Sequence, residues 1–328
     1  MAATLPHHVP VIVITDLARN SDDGVALMML LQSDAVDVKG IIATAGNVCA
    51  AEAAKETRQL LTALQRDTLP VVPGPPMSWH EGRRRYYQDV EKYSAHVPTY
   101  AGAFGENANC AADDENTSAD TPDLAADRAA DFLIDVALKS AGHLIVILQG
   151  PATVLAQALK KEPNLSKLLA RVYAMGGSLH VPGNATPFAE FNVWFDPEAM
   201  ASLVRSGVAM TLVPLDATNP VTYGSLGSER SERSDPIGRY LSEYLEFRQA
   251  RHREVPMWDE VLATIVIDQS VIARTIERPL AVSIRRDQEY GRLLELPADT
   301  VQGTVTVVTQ VNGDLVKLVL SDLLLGQR

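Results

Sequence analysis

Apolar positions along the chain alternate between two periods. Val11 to Thr15 are apolar or β-branched without interruption and predict a buried parallel strand. Polar residues then crowd into Asp16 to Asp23, and from Val25 to Leu31 the apolar positions continue as a helix. VDVKGIIATAG (36–46) predicts a second strand with Asn47 just beyond its end, and residues 50 to 64 predict a helix. Leu69 to Val72 form a short third strand closed by Pro73-Gly74-Pro75-Pro76. After residue 126 the alternation resumes. Ala125 to Ser140 reads as helix, Leu144 to Leu148 as a strand ending at Gln149-Gly150-Pro151, and 152–160 and 163–171 as helices. VYAMGG (172–177) and VAMTLVPLD (208–216) read as strands, and residues 197–206, 236–250 and the segment opened by Trp258-Asp259-Glu260 as helices. From Pro279 the tail reads as β, with PLAVSIRR, VQGTVTVVTQ and LVKLVLS, the last two joined as a hairpin across Val311-Asn312-Gly313-Asp314.

Strand–helix alternation over most of the chain predicts an α/β fold: one doubly wound, mostly parallel sheet flanked by helices. The expected organisation is a single domain over residues 1–328. It carries a long excursion at 77–126, aromatic and basic and then acidic, and a β-rich C-terminal appendage at 279–328. Arg83, Arg84 and Arg85 in the excursion read as a solvated face.

Composition narrows the class. The 328 residues, 46% hydrophobic, are ample for a large core. A formal charge of -12 argues against a general nucleic-acid surface. No apolar run reaches 18 residues unbroken, so no membrane span is expected, and the first ten residues lack a signal-peptide pattern. Cys49 and Cys110 are the only cysteines, which implies no disulfide framework and points to a reducing, cytoplasmic setting.

The polar residues sit where such a fold places its chemistry. Asp22 and Asp23, Asn47, Gln149, Asn184 with Glu190 and Asn192, and Asp259 all stand at or near carboxyl ends of strands or at helix starts. Each alone reads as a cap or loop hydrogen bond, and together they predict one pocket. Its donors are carboxylates and amides without the His/Cys spacing of a zinc site, which suits Ca²⁺ or Mg²⁺ and a polyhydroxylated substrate. No G-x-G-x-x-G or P-loop follows the first strand, and no G-x-S-x-G occurs, so dinucleotide, ATP and serine-hydrolase chemistry are disfavoured.

One long segment is far more specific. AMGGSLHVPGNATPFAEFNVWFDPEA (174–199) resembles the GNxTPxAEFN…DPEA signature of the nucleoside hydrolases, the inosine–uridine-type nucleoside N-ribohydrolases. Asp22-Asp23, AGN (45–47), GPAT (150–153), VPLDAT (213–218) and WDEVLA (258–263) support it, over about residues 11 to 270. The resemblance implies a homodimer or homotetramer, a tightly held Ca²⁺, and hydrolysis of a nucleoside to base and ribose. It implies that Asp23 and Asp259 bind the ion, completed by the main-chain carbonyl of Gln149. It further implies that Asp22, Asn184, Glu190 and Asn192 hold the ribose hydroxyls, with Asn47 nearby and Met175 contributing its main chain. The catalytic set so implied is Asp22, Asp23, Asn184 and Asp259.

The chain departs from the family pattern at two places. The motif carries an aspartate two residues after its first, both an ion ligand and the base for the attacking water, and Ala18 stands there. Asp16 aligns with the first aspartate, roughly 6–7 Å away by strand rise and so a poor replacement. Trp258 stands where pyrimidine-tolerant members carry a histidine. With Trp79 it resembles the tryptophan pair of purine-preferring members, and Asn20 fits the opening motif of that subgroup. The expected function is Ca²⁺-dependent hydrolysis of purine nucleosides, impaired by Ala18. The alternatives are a non-catalytic nucleoside- or ribose-binding protein and a hydrolase of another N-riboside.

Overall fold

Alternation along the first strand decides how the sheet is covered. β1 (Val9–Thr15) sends Val11 and Val13 into one apolar cluster and Ile12 and Ile14 into another. Because side chains alternate with period two, one strand supplies two cores on opposite faces of the sheet. The computed structural model describes residues 8–75, 122–227, 233–250, 254–300 and 303–326.

In chain order β1 is followed by α1 (Asp22–Gln32), β2 (Val36–Ala43), α2 (Ala50–Ala63), β3 (Val71–Pro73), α3 (Pro122–Lys139) and β4 (Leu144–Leu148). Next come α4 (Thr153–Lys161), α5 (Leu165–Leu168), β5 (Leu169–Met175), α6 (Phe191–Phe195), α7 (Pro197–Arg205), β6 (Met210–Val213) and α8 (Leu215–Thr218). The chain continues with α9 (Pro236–Gln249), α10 (Asp259–Ile267), β7 (Ile272–Arg278), β8 (Leu280–Val282), β9 (Leu293–Glu295), β10 (Val305–Val311) and α11 (Gly313–Leu320).

The central sheet has eight strands in the order β3-β2-β1-β4-β5-β6-β10-β7. All neighbours run parallel except β10 and β7. Helices α1 and α10 pack on the face reached by Val11 and Val13, whereas α4 and α7 pack on the opposite face. The order reverses between β1 and β4, and their carboxyl ends open the crevice that α/β sheets use for ligands.

Most expected elements form within a residue or three, and four points need correction. LVKLVLS is not a strand: Asn312 caps α11 by accepting from the backbone N–H groups of Asp314 and Leu315, and Val316 and Leu320 are buried at helical spacing. A short apolar run fits both periods, and here the cap decides. Its predicted hairpin partner, Val305–Val311, lies inside the central sheet between β6 and β7. The separate two-stranded sheet of the tail is β8 with β9. The helix expected at 163–171 is a single turn, because Leu169 and Arg171 already pair with Leu144 and Ile145 of β4. Strand β7, partnered antiparallel to β10, has a mostly exposed pattern with no apolar face to announce it. Finally, Cys49 is disulfide-bonded, contrary to the expectation of unpaired cysteines. Cys110, like Arg83–Arg85 and the rest of 76–121, lies outside the described residues. Among the described residues no helix is long and apolar enough to cross a membrane.

Candidate active site

Strand β1 ends at Thr15, and the turn that follows brings the chain into α1 with Asn20 in a left-handed conformation (φ 57°). Asparagine tolerates that region better than most residues. The turn is held from outside: Ser21 donates its N–H to the Tyr240 hydroxyl at 3.3 Å, and that hydroxyl donates to the Ser21 carbonyl at 3.1 Å. Asp22 and Asp23 therefore open α1 at the carboxyl edge of the sheet, where the helix N-terminus favours negative charge. Asp259 opens α10, which packs beside α1.

The three aspartates converge. One carboxylate oxygen from each of Asp22, Asp23 and Asp259 lies within 4.8 Å of the others, and all three residues are buried. Asp23 accepts from the Thr15 hydroxyl at 2.6 Å and from Asn47 Nδ2 at 3.2 Å. Burial, with Asp22 beside it, pushes its carboxyl up to about 6. Asp259 is only 4% exposed and its Oδ1 has no hydrogen-bond partner among the described residues. Desolvation raises it well above the usual carboxylate range, and the charges of Asp23, Asp22 and Asp16 add to that. Several buried acids crowded together, one of them with an unpartnered oxygen, form an arrangement that a cation stabilises.

Asp16 belongs to the same group. It is 1% exposed, its Oδ2 accepts the Asn47 N–H at 2.6 Å, and its carboxyl lies near that of Asp23. Burial first and Asp23 second hold its carboxyl well up. Two glycines let the backbone close on it: a Cβ at Gly46 would sit 2.0 Å from Asp16 Oδ2, and one at Gly150 2.8 Å from Oδ1. Ala18 is half-buried against the small cluster of Ala43, Val48, Ala53 and Ala54 and brings no polar group.

The segment after β5 makes the opposite wall. Glu190 caps α6 and accepts from the backbone N–H groups of Gly177 (2.8 Å), Asn192 (2.9 Å) and Val193 (3.2 Å). Desolvation raises its carboxyl and these bonds oppose the rise. Asn192 Nδ2 donates to the Gln149 carbonyl at 2.6 Å and to the Met175 carbonyl at 3.3 Å. Asn184 Oδ1 accepts the Phe191 N–H at 2.8 Å. The structure thus joins Gln149, Met175, Asn184, Glu190 and Asn192 in one hydrogen-bonded unit. Asn47 ties the aspartate group to the loop after β2.

Trp258 stands at the N-cap of α10. Its indole N–H donates to Asn219 Oδ1 at 2.9 Å, and the Arg248 guanidinium lies 5.0 Å from its ring centroid. Any contact it makes with a ligand therefore uses the ring face rather than the N–H. Trp79 lies outside the described residues.

Sequence reasoning passed over three groups that the fold brings here. Tyr240, Tyr244 and Arg248 share one face of α9 at i, i+4 and i+8, a spacing that could have flagged them. Glu260 is fully buried, accepts from the Tyr223 hydroxyl at 2.8 Å, and is pushed up to about 8 by burial and then by Asp22. Thr15 looked like one more β-branched strand residue and carried no signal of its own.

Comparisons with known proteins give the family and the fold. The sequence profile of the family described as inosine-uridine preferring nucleoside hydrolase matches residues 11–317. A pyrimidine-specific ribonucleoside hydrolase, RihA, of Salmonella enteritidis is 29% identical over 288 residues, 85% of this chain and 86% of that protein. The RihA of Escherichia coli K12 is 26% identical over 277 residues, 84% of this chain and 82% of that protein. Among solved structures, a plant nucleoside hydrolase superposes with a TM-score of 0.78 at 23% identity, covering 97% of this chain and 99% of that one. A purine-preferring ribonucleoside hydrolase from Gardnerella vaginalis gives 0.76 at 21% identity, covering 97% and 98%.

Proposed function

The chain belongs to the inosine-uridine preferring nucleoside hydrolase family, and from that premise we propose that it hydrolyses the N-glycosidic bond of purine ribonucleosides with a bound Ca²⁺. The observation that carries this reading is the convergence of Asp22, Asp23 and Asp259 at the carboxyl edge of the sheet, all buried, with Asp259 Oδ1 unpartnered among the described residues. The donor set is all oxygen, which fits a hard cation and not a zinc site. Asp23 and Asp259 hold the ion in this reading, with the Gln149 carbonyl, whose second lone pair remains after the bond from Asn192. Bound there, Ca²⁺ offsets the crowded negative charge and supplies Lewis acidity toward a water.

The protein's own groups do the rest. Asp22 and the free amide ends of Asn184 (Nδ2) and Asn192 (Oδ1) hold the ribose hydroxyls and keep the sugar oriented as positive charge develops at its anomeric carbon. Glu190 spends its carboxylate on three backbone N–H groups, which holds Gly177 and the start of α6 in place. The Trp258 ring offers a flat face to the leaving base, and a purine covers more of it than a pyrimidine. Asn20, Asn47 and Met175 complete the sugar side, and Trp79 is the second stacking group. The chain acts as a homo-oligomer.

Ala18 favours a second reading, nucleoside binding without efficient turnover, because an alanine neither takes a proton nor ligates an ion. The deciding experiment incubates the protein with inosine, adenosine, guanosine and uridine, in Ca²⁺ and in chelator, and measures base release beside calorimetric binding. Purine base release that chelator abolishes is the expected result. Binding without release selects the second reading, and preference for uridine, a pyrimidine nucleoside and so in line with the pyrimidine specificity named for the RihA relatives, overturns the purine assignment.

A further inference from the structure

Gln149 is a buried polar side chain at the crevice with no hydrogen-bond partner for its amide among the described residues. It is 1% exposed, and both its Oε1 and its Nε2 lack a hydrogen-bond partner among the described residues. A primary amide has four hydrogen-bonding positions, and leaving all of them dry is costly unless a ligand takes some.

Register shows where this amide points. β1 and β4 are parallel neighbours with Ile14 paired to Leu148, and the Gln149 N–H continues the ladder onto the Ile14 carbonyl at 2.8 Å. Register partners in a parallel pair share a face. Val11 and Val13 enter one apolar cluster with Ile145 and Ile147, and Ile12 and Ile14 enter the other with Val146 and Leu148. One step further, Gln149 shares a face with Thr15. That face is covered by α1 and α10, and Thr15 reaches Asp23 across it at 2.6 Å. The unpartnered amide and the unpartnered Asp259 Oδ1 therefore stand at the same strand ends, under the same two helix starts.

We propose that the Gln149 side-chain amide oxygen is itself a ligand of the cation held by Asp23 and Asp259, so that this residue serves the site through its side chain as well as its carbonyl. Hard divalent cations accept glutamine amide oxygens, and six to eight oxygens complete a Ca²⁺ shell. With Ala18 contributing none, a neutral amide adds an oxygen without adding charge to a group of acids already crowded. The inference rests on the cation reading given under Proposed function.

The test measures Ca²⁺ affinity by calorimetry, with Tb³⁺ luminescence as a second readout, on the full chain and on Gln149→Leu and Gln149→Glu. Thermal stability of each is measured in chelator. Gln149→Leu should weaken Ca²⁺ roughly 10–100-fold while leaving the ion-free melting temperature unchanged or higher, since it removes an unpartnered polar group. Gln149→Glu should keep or tighten Ca²⁺ binding and lower the ion-free melting temperature, since it adds a fifth acid beside Asp16, Asp22, Asp23 and Asp259. Equal Ca²⁺ affinity in Gln149→Leu and the parent overturns the side-chain role alone. So does a Gln149→Leu chain that is less stable without ion or fails to fold, because the amide then has a structural partner. A parent that binds no Ca²⁺ overturns the cation reading itself.

Discussion

Two buried acidic regions face each other across the crevice, and they are built in opposite ways. On the α6 side, Glu190 accepts three backbone N–H groups, and Asp196 accepts the Ala199 N–H at 3.1 Å and the Thr153 hydroxyl at 2.7 Å. These carboxylates are answered by the protein and serve as scaffold. On the α1 and α10 side, burial first and neighbouring carboxylates second hold the Asp16, Asp23 and Asp259 carboxyls above the usual range, and Asp259 Oδ1 and the Gln149 amide have no partner among the described residues. Asp16 and Asp23 find donors in Asn47 and Thr15, but nothing among the described residues answers Asp259 Oδ1. Burial alone does not separate the two regions. The supply of donors does.

The sharpest way to break this contrast is to remove one acid from each region. Glu190→Ala leaves three N–H groups without their acceptor, at about 1–3 kcal/mol each where buried, so the ion-free protein should lose at least about 3 kcal/mol by chemical denaturation. Asp259→Asn should leave the ion-free protein as stable or more so, while removing its stabilisation by Ca²⁺. If both variants lose the same stability in chelator, the two regions do not differ as described.

Restoring the missing carboxylate comes next in size. Ala18→Asp should raise purine nucleoside hydrolysis by roughly two or more orders of magnitude, the scale of a positioned base, with much less change in nucleoside binding. Brisk turnover by the parent and no gain in Ala18→Asp would assign the base elsewhere.

Trp258→Ala tests the base end of the crevice. It should weaken a purine nucleoside by about 1–3 kcal/mol and ribose hardly at all, read by calorimetry on both ligands. Equal losses would show that the ring only supports α10, through Asn219 and Arg248.

The smallest effect is one of pH. Asp23 titrates at about 6 in the fold against 3.8 for the ordinary group, so the folded chain holds a proton that the unfolded chain has released. Ion-free stability should therefore be fully present below about pH 4 and fall as pH rises through 6, with Asp16 and Asp259 shifted in the same direction. Saturating Ca²⁺ favours the ionised forms and should flatten or reverse that fall. An ion-free melting temperature that climbs between pH 5 and 7 contradicts the crowding of these acids.

Local pattern carried much of this molecule. The uninterrupted apolar run Val11–Thr15 announced the central strand, the alternation of periods announced a doubly wound sheet, and the stretch 174–199 announced the family. Asp22, Asp23 and Asp259 were legible as a group because each stands at a strand end or helix start, a position local periodicity reveals. What stayed hidden depended on distant partners. LVKLVLS fits a strand and a helix equally, and the Asn312 cap chose the helix, while the place of β10 beside β6 required a neighbour almost a hundred residues earlier. Asp16 looked too distant to matter until the close approach of Gly46 and Gly150 pressed it against Asp23. Gln149 read as the source of one carbonyl. That its amide is dry and shares a face with Thr15 follows only from the register of β4 on β1, because hydrogen-bond satisfaction belongs to the assembled sheet and not to any stretch of chain.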